Sequence, residues 1–166
     1  IHYPLVEVNN SIHKNHGYLV CSYLPYRKLP RPIKSKYSQQ DKALYDTSFN
    51  FYQKVFDAIK RNDNVVLSSE YIAKFNAHEI NLFKQDICYA GIKDVVILLY
   101  VRHPVNHYIS ACQQSLKASH AIKNPKYYKY NFRNCIERWN TLFPNKVIVR
   151  PFDPDILNNS CVVQDF

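Results

Sequence analysis

Asp94-Val95-Val96-Ile97-Leu98-Leu99-Tyr100-Val101-Arg102-His103-Pro104 is the stretch on which the fold turns. From Val95 to Val101 both alternating faces are apolar, as a central strand must be when helices cover both faces of a parallel sheet. Proline suits the first turn of a helix, where its missing N–H has no intrahelical partner, so Pro104 marks a helix start directly after the strand. Tyr108, Ile109, Cys112 and Leu116 then keep helical spacing.

Upstream, Asn76 followed three residues later by Glu79 predicts a capping box, and Ile80, Phe83 and Ile87 form the apolar face of a helix that stops near Gly91. Asn64-Val65-Val66-Leu67-Ser68, after the polar Arg61-Asn62-Asp63, predicts a second buried strand. From Gln39 to Arg61, Tyr45, Phe49, Tyr52, Phe56 and Ile59 recur at steps of four and three, the stripe of an amphipathic helix. Residues 1–37, with four prolines and a basic stretch, predict loop with a short helix. Downstream, a basic, tyrosine-rich link over Lys117–Tyr130 leads to a helix carrying Phe132, Cys135, Ile136, Trp139 and Leu142, then to a third strand at Lys146–Val149. Parallel strands need crossover connections, so this order predicts one α/β domain over residues 1–166, a mostly parallel sheet flanked by helices.

Composition narrows the classes of function. The 46% hydrophobic content of 166 residues suffices for a core without disulfides or metal. Five cysteines without a CxxC pair speak against a disulfide framework or zinc site and predict a reducing, cytoplasmic compartment. No run reaches the roughly 18 apolar residues of a membrane span. The absence of any Met, even an initiator, suggests a segment upstream of Ile1. A net charge of +9 favours an anionic partner, or serves only as a solvated surface.

Ligands of open parallel sheets bind beyond the carboxyl ends of strands, which singles out Glu70, Arg102 and Arg150. A guanidinium at position 102, beside a helix N-terminus, is a ready anion ligand. Ser110 lies eight residues further, on the helix. Each residue also has a structural reading: Arg102 salt-bridged at a strand end, Ser110 an ordinary helix serine, Glu70 a cap or solvated carboxylate. Arg150 pairs with Asp153 or Asp155 in the favoured reading, and otherwise faces the site. Paired histidines, His13 with His16 and His103 with His107, lack the further ligands zinc wants, so no metal is expected. Lys123–Tyr130 mixes base with aromatic, a pattern able to grip a sugar or a nucleic-acid strand, or simply a surface loop.

The run Val96–Pro104 with Ser110 resembles the motif of sulfotransferases that use 3′-phosphoadenosine 5′-phosphosulfate: an apolar strand, Arg, any residue, Pro, and Ser eight residues after the Arg. Val65-Val66-Leu67-Ser68-Ser69-Glu70 and Lys146-Val147-Ile148-Val149-Arg150-Pro151-Phe152 resemble the flanking strands of bacterial, glycan-type members. The resemblance implies a three-layer fold like that of P-loop nucleotide-binding proteins, with the N-terminal part absent, and Arg102 and Ser110 as ligands of the nucleotide's 3′-phosphate. It implies 3′-phosphoadenosine 5′-phosphosulfate as co-substrate, no metal, a saccharide hydroxyl as acceptor and, if the source is eukaryotic, the Golgi lumen as compartment. Glu70 is the candidate general base, since sulfuryl transfer needs an oriented nucleophile in line with the leaving group. His16-Gly17 is a soft candidate on the acceptor side.

The family's glycine-containing phosphosulfate loop has no counterpart here, because neither Gly17 nor Gly91 lies in such a setting and no Walker-type run occurs. Two other classes therefore stay open: a non-catalytic module binding nucleotide or anionic glycan, and, on charge alone, a nucleic-acid-binding protein. The oligomeric state is not legible in the sequence.

Overall fold

The computed structural model describes residues 2–8, 11–13, 16–37, 42–61 and 64–165. It mixes helix with small sheets and divides into two compact units, Ile1–Val95 and Val96–Phe166.

In the first unit, β1 (Val6–Val8) and β2 (Ser11–His13) pair antiparallel, a hairpin in a region expected to be loop. A 3-10 helix, Gly17–Ser22, packs on α2 (Lys42–Arg61), and the short α1 (Arg31–Lys34) lies between them in sequence. The expected helix start at Gln39 and the polar Asn62-Asp63 lie outside the described residues. The helix is where the periodicity put it, but it is rotated. Its buried face is Leu44, Thr47, Ser48, Phe51, Val55, Phe56 and Ile59, while Tyr45 and Phe49 are 72% and 52% exposed. Close packing selects the small Thr47 and Ser48 over bulkier rings, and the Ser48 hydroxyl is satisfied by donating to the Leu44 carbonyl at 2.6 Å. Tyr23, Phe75 and Phe83 meet at 5.5–6.3 Å in the same core.

The next helix, α3 (Ala77–Tyr89), has the boundaries its capping chemistry dictates. Asn76 accepts from the Glu79 N–H at 3.0 Å while Glu79 accepts from the Asn76 N–H at 2.8 Å. At the other end Gly91 takes φ +80°, and the N–H groups of Gly91 and Ile92 reach back to the Cys88 and Ile87 carbonyls, closing a Schellman motif. Glu79 is buried and forms an ion pair with Lys28 at 2.8 Å.

Asn64–Ser68 is not the expected strand. Val65 makes one isolated parallel bridge to His2, through His2 N–H to Asn64 O (2.7 Å) and Val66 N–H to His2 O (2.9 Å). The next rung of a parallel ladder would need an N–H two residues after His2, and that residue is Pro4. His16 takes over where the ladder stops: its N–H donates to Ser68 O and its Nδ1 accepts from Ser68 N–H, both at 2.9 Å.

The second unit is built on β3 (Ile97–Val101) and β4 (Val147–Pro151), parallel neighbours in the register Ile97↔Val147 through Val101↔Pro151. The crossover runs through α4 (Pro104–Ser119) and α5 (Phe132–Leu142), and a short α6 (Val162–Asp165) closes the unit. Trp139 and Cys135 on α5 are buried, with Trp139 stacked on Phe143 at 5.9 Å. A central strand was expected at β3, yet all five of its residues are only half-buried, and Ile148 and Val149 on β4 are exposed. Among the described residues this sheet has two strands, and each therefore keeps one unpaired edge.

Candidate functional site

The carboxyl ends of β3 and β4 bring two residues together. Arg102 follows the last residue of β3 and Phe152 follows the last residue of β4, whose register continues through a Phe152 N–H to Val101 O bond of 2.8 Å. That bond sets the Phe152 ring beneath the Arg102 guanidinium, 4.7 Å from its centroid. Arg102 makes no ion pair or hydrogen bond with another described residue, so its N–H donors stay available; the salt-bridged reading of this residue does not hold.

Pro104 opens α4 and His103 caps it, Nδ1 accepting from the Val105 N–H at 3.3 Å. From there Asn106, Ser110 and Gln113 recur at steps of four and three along one helix face. With Arg102, Ile109 and Phe152 they line a crevice of about 320 Å³. Arg102 and Ser110, paired from sequence, thus share one cavity wall. Its lining includes one guanidinium, one hydroxyl and two carboxamides and no carboxylate, a donor set suited to an oxyanion.

Beside the crevice, His107 on α4 lies among Tyr128, Tyr130 and Phe132, with ring centroids 5.8, 4.3 and 5.3 Å away, and its Nδ1 is hydrogen-bonded to the Tyr128 hydroxyl. Partial burial, then the cations Arg102 and Lys123, hold its pKa below the ordinary value.

The other two candidates part from this pair. Arg150 donates to Asp165 at 2.7 Å, not to Asp153 or Asp155. The Asp165 carboxylate, 3% exposed, also accepts from the Tyr100 hydroxyl at 2.8 Å and the Asn158 N–H at 3.3 Å, so this arginine anchors α6. Chain direction explains the switch: α6 returns the chain to the sheet, where the nearer aspartates belong to the intervening turn. Glu70, in the first unit, is exposed in a turn, and its carboxylate adds to burial in raising the pKa of the neighbouring Tyr71. It follows an extended segment bridged only at Val65, not a strand end.

His16 is fully buried and linked to Pro4 O at 3.0 Å through Nε2. One partner is an N–H and the other a carbonyl, so the neutral imidazole with its proton on Nε2 satisfies both. It is a core tie, and burial lowers its pKa. Among the described residues no group of three His, Cys, Asp or Glu is placed to hold a metal, and no helix is long and apolar enough to cross a membrane.

Sequence reasoning missed Phe152, Asn106 and Gln113. The two carboxamides were findable, since they share the helical phase of Ser110. Compared with family models, curated proteins and solved structures, the chain matches none.

Proposed function

We propose that this chain is a sulfotransferase-like protein in which Arg102 and Ser110 bind the 3′-phosphate of 3′-phosphoadenosine 5′-phosphosulfate, the sulfuryl group passing to a hydroxyl of a saccharide. The observation that carries this reading is the crevice in which an unpaired guanidinium and a helix hydroxyl converge. The parallel β3–β4 pair, with its strand-to-helix turn at Arg102, is consistent with the three-layer, P-loop-like arrangement proposed for the whole fold.

In the reaction the acceptor oxygen attacks sulfur, the bond from sulfur to the 5′-phosphate oxygen breaks, and 3′-phosphoadenosine 5′-phosphate leaves. The hydroxyl's proton passes to a general base; Glu70 is the candidate for this role only as a strand-end residue, and its place in a turn withdraws that argument. Arg102, held on the Phe152 ring, supplies fixed positive charge and register for the nucleotide, and no metal is invoked.

A second reading is favoured by one sequence feature, the lack of a glycine-containing phosphosulfate loop in these 166 residues. As a non-catalytic module the chain would bind the bisphosphate without turnover.

Titration calorimetry tests the shared premise. An Arg–phosphate bond worth about 1.5–3 kcal/mol means that Arg102→Ala weakens adenosine 3′,5′-bisphosphate roughly 10- to 150-fold and Ser110→Ala less. Adenosine 5′-phosphate, lacking the 3′ group, should bind both forms alike. Equal losses for the two nucleotides would withdraw the 3′-phosphate assignment.

A further inference from the structure

Between Asp94 and Glu137 the chain has no acidic residue, while Arg102, Lys117, Lys123, Lys126, Lys129 and Arg133 are all cationic. Arg133 is engaged with Glu137 at 2.7 Å, but Lys123, Lys126 and Lys129 make no ion pair with a described residue. These three lysines sit on the link between α4 and α5, at steps of three.

The link is tied down rather than loose. Asn124 caps its 3-10 turn, Pro125–Tyr127, by accepting from the Lys126 N–H at 2.9 Å. The Tyr108 hydroxyl donates to the Lys123 carbonyl at 2.6 Å, and Tyr128 and Tyr130 pack on His107. Both anchors, Tyr108 and His107, lie on α4, the helix that also walls the Arg102–Ser110 crevice. His107 is one residue from Asn106, about 100° around that helix. Crevice and link therefore border the same helix, with His107 between Arg102 on one side and Lys123 on the other, both of which add to partial burial in lowering its pKa.

Ring geometry separates two kinds of polyanion. A nucleic-acid strand needs free aromatic faces on which to stack its bases. Here the Lys126 ammonium lies over the Tyr127 ring at 6.0 Å and that of Lys123 over Tyr128 at 5.7 Å, while Tyr130 packs against His107 and Phe132 at 4.3 Å each. Tyr128 and Tyr130 are thus engaged within the link, which leaves Tyr127, 74% exposed, as a single outer ring rather than a run of stacking platforms; what the link offers outward is chiefly its ammonium donors, the complement of sulfate and carboxylate groups.

We propose that the Lys123–Tyr130 link is the docking surface for an acidic oligosaccharide, which makes the acceptor of the proposed transfer an already anionic sugar chain. The acceptor role rests on the sulfuryl-transfer reading; the surface itself does not.

Fluorescence anisotropy on the full chain tests it with three probes: a labelled sulfated hexasaccharide, its desulfated counterpart, and a single-stranded oligonucleotide of equal charge. The sulfated sugar should bind, the desulfated one much more weakly, and the oligonucleotide more weakly than the sulfated sugar. Replacing Lys123, Lys126 and Lys129 together by Ala should weaken the sulfated sugar roughly 10- to 100-fold. Replacing Lys42, Lys60 and Lys93 by Ala removes the same charge elsewhere and should change binding by less than about two-fold. Adenosine 3′,5′-bisphosphate affinity should be the same in both variants. Equal losses in the two variants, or an oligonucleotide bound as tightly as the sulfated sugar, overturn the proposal. Sugar binding through these lysines in a chain that does not bind the bisphosphate would overturn the acceptor role together with the transfer reading.

Discussion

The Arg102 guanidinium lies 4.7 Å above the Phe152 ring, joining residues that each follow the end of a parallel strand. The contact holds a flexible side chain without using its hydrogen-bond donors. Phe152→Leu keeps bulk but loses the ring face, so bisphosphate affinity should fall roughly 2- to 5-fold, as suits a half-exposed cation–π contact, while Phe152→Tyr retains it. Calorimetry reads both. Leu at this position binding as wild type would mean that the ring does not position the guanidinium.

Arg150 tests the opposite assignment. Its partner Asp165 is a buried carboxylate with three hydrogen-bonding neighbours, and the arginine is itself 42% exposed. Arg150→Ala should therefore cost about 1–3 kcal/mol, read from the urea midpoint, and leave bisphosphate affinity unchanged. Loss of nucleotide binding without loss of stability would return Arg150 to the site.

Buried His16 makes stability depend on pH. Its native pKa lies below the ordinary 6.5, so between the two values the unfolded chain binds the extra proton. Stability is thus complete above about 6.5, falls as pH drops through the interval, and levels off below the native pKa. Protonation would also turn an Nδ1–H against the Ser68 N–H. His16→Asn should give a flatter profile of melting temperature between pH 7.5 and 5; an unchanged slope would place the dependence in other groups.

Local chemistry was legible, and long-range pairing was not. Both ends of α3 follow from Asn76, Glu79 and Gly91, which act within a few residues of one another. The strand-to-helix turn at Arg102-His103-Pro104 is equally local, and helical period alone puts Ser110 on the crevice side. Phe152, fifty residues beyond Arg102, depends on the β3–β4 register, and Asp165 as the partner of Arg150 depends on how α6 returns to the sheet. Counting aromatic residues misjudged α2, whose packed face uses Thr47 and Ser48 while Tyr45 and Phe49 stand exposed. One missing N–H at Pro4 ended the expected strand at Val65, a rung that only the paired segment reveals.

Gln113 reports the sign of the ligand's charge without touching Arg102. It lines the crevice less than one turn beyond Ser110, and Gln113→Glu alters one polar group at nearly constant volume. At separations of about 6 Å and an effective dielectric of roughly 40, an added carboxylate opposes a unit anion by about 1.4 kcal/mol, so bisphosphate affinity should fall on the order of 10-fold. Gln113→Leu, which removes a donor without adding charge, should cost less. Raising salt should narrow the gap between Glu and Leu at this position, because a half-open crevice is screened by mobile ions. Adenosine 5′-phosphate should be much less sensitive to Gln113→Glu, since the group that meets this wall is the 3′-phosphate. Equal sensitivity of the two nucleotides, or a tighter complex with Glu, would show that the crevice does not hold a 3′-phosphate and would leave Arg102 as general positive field.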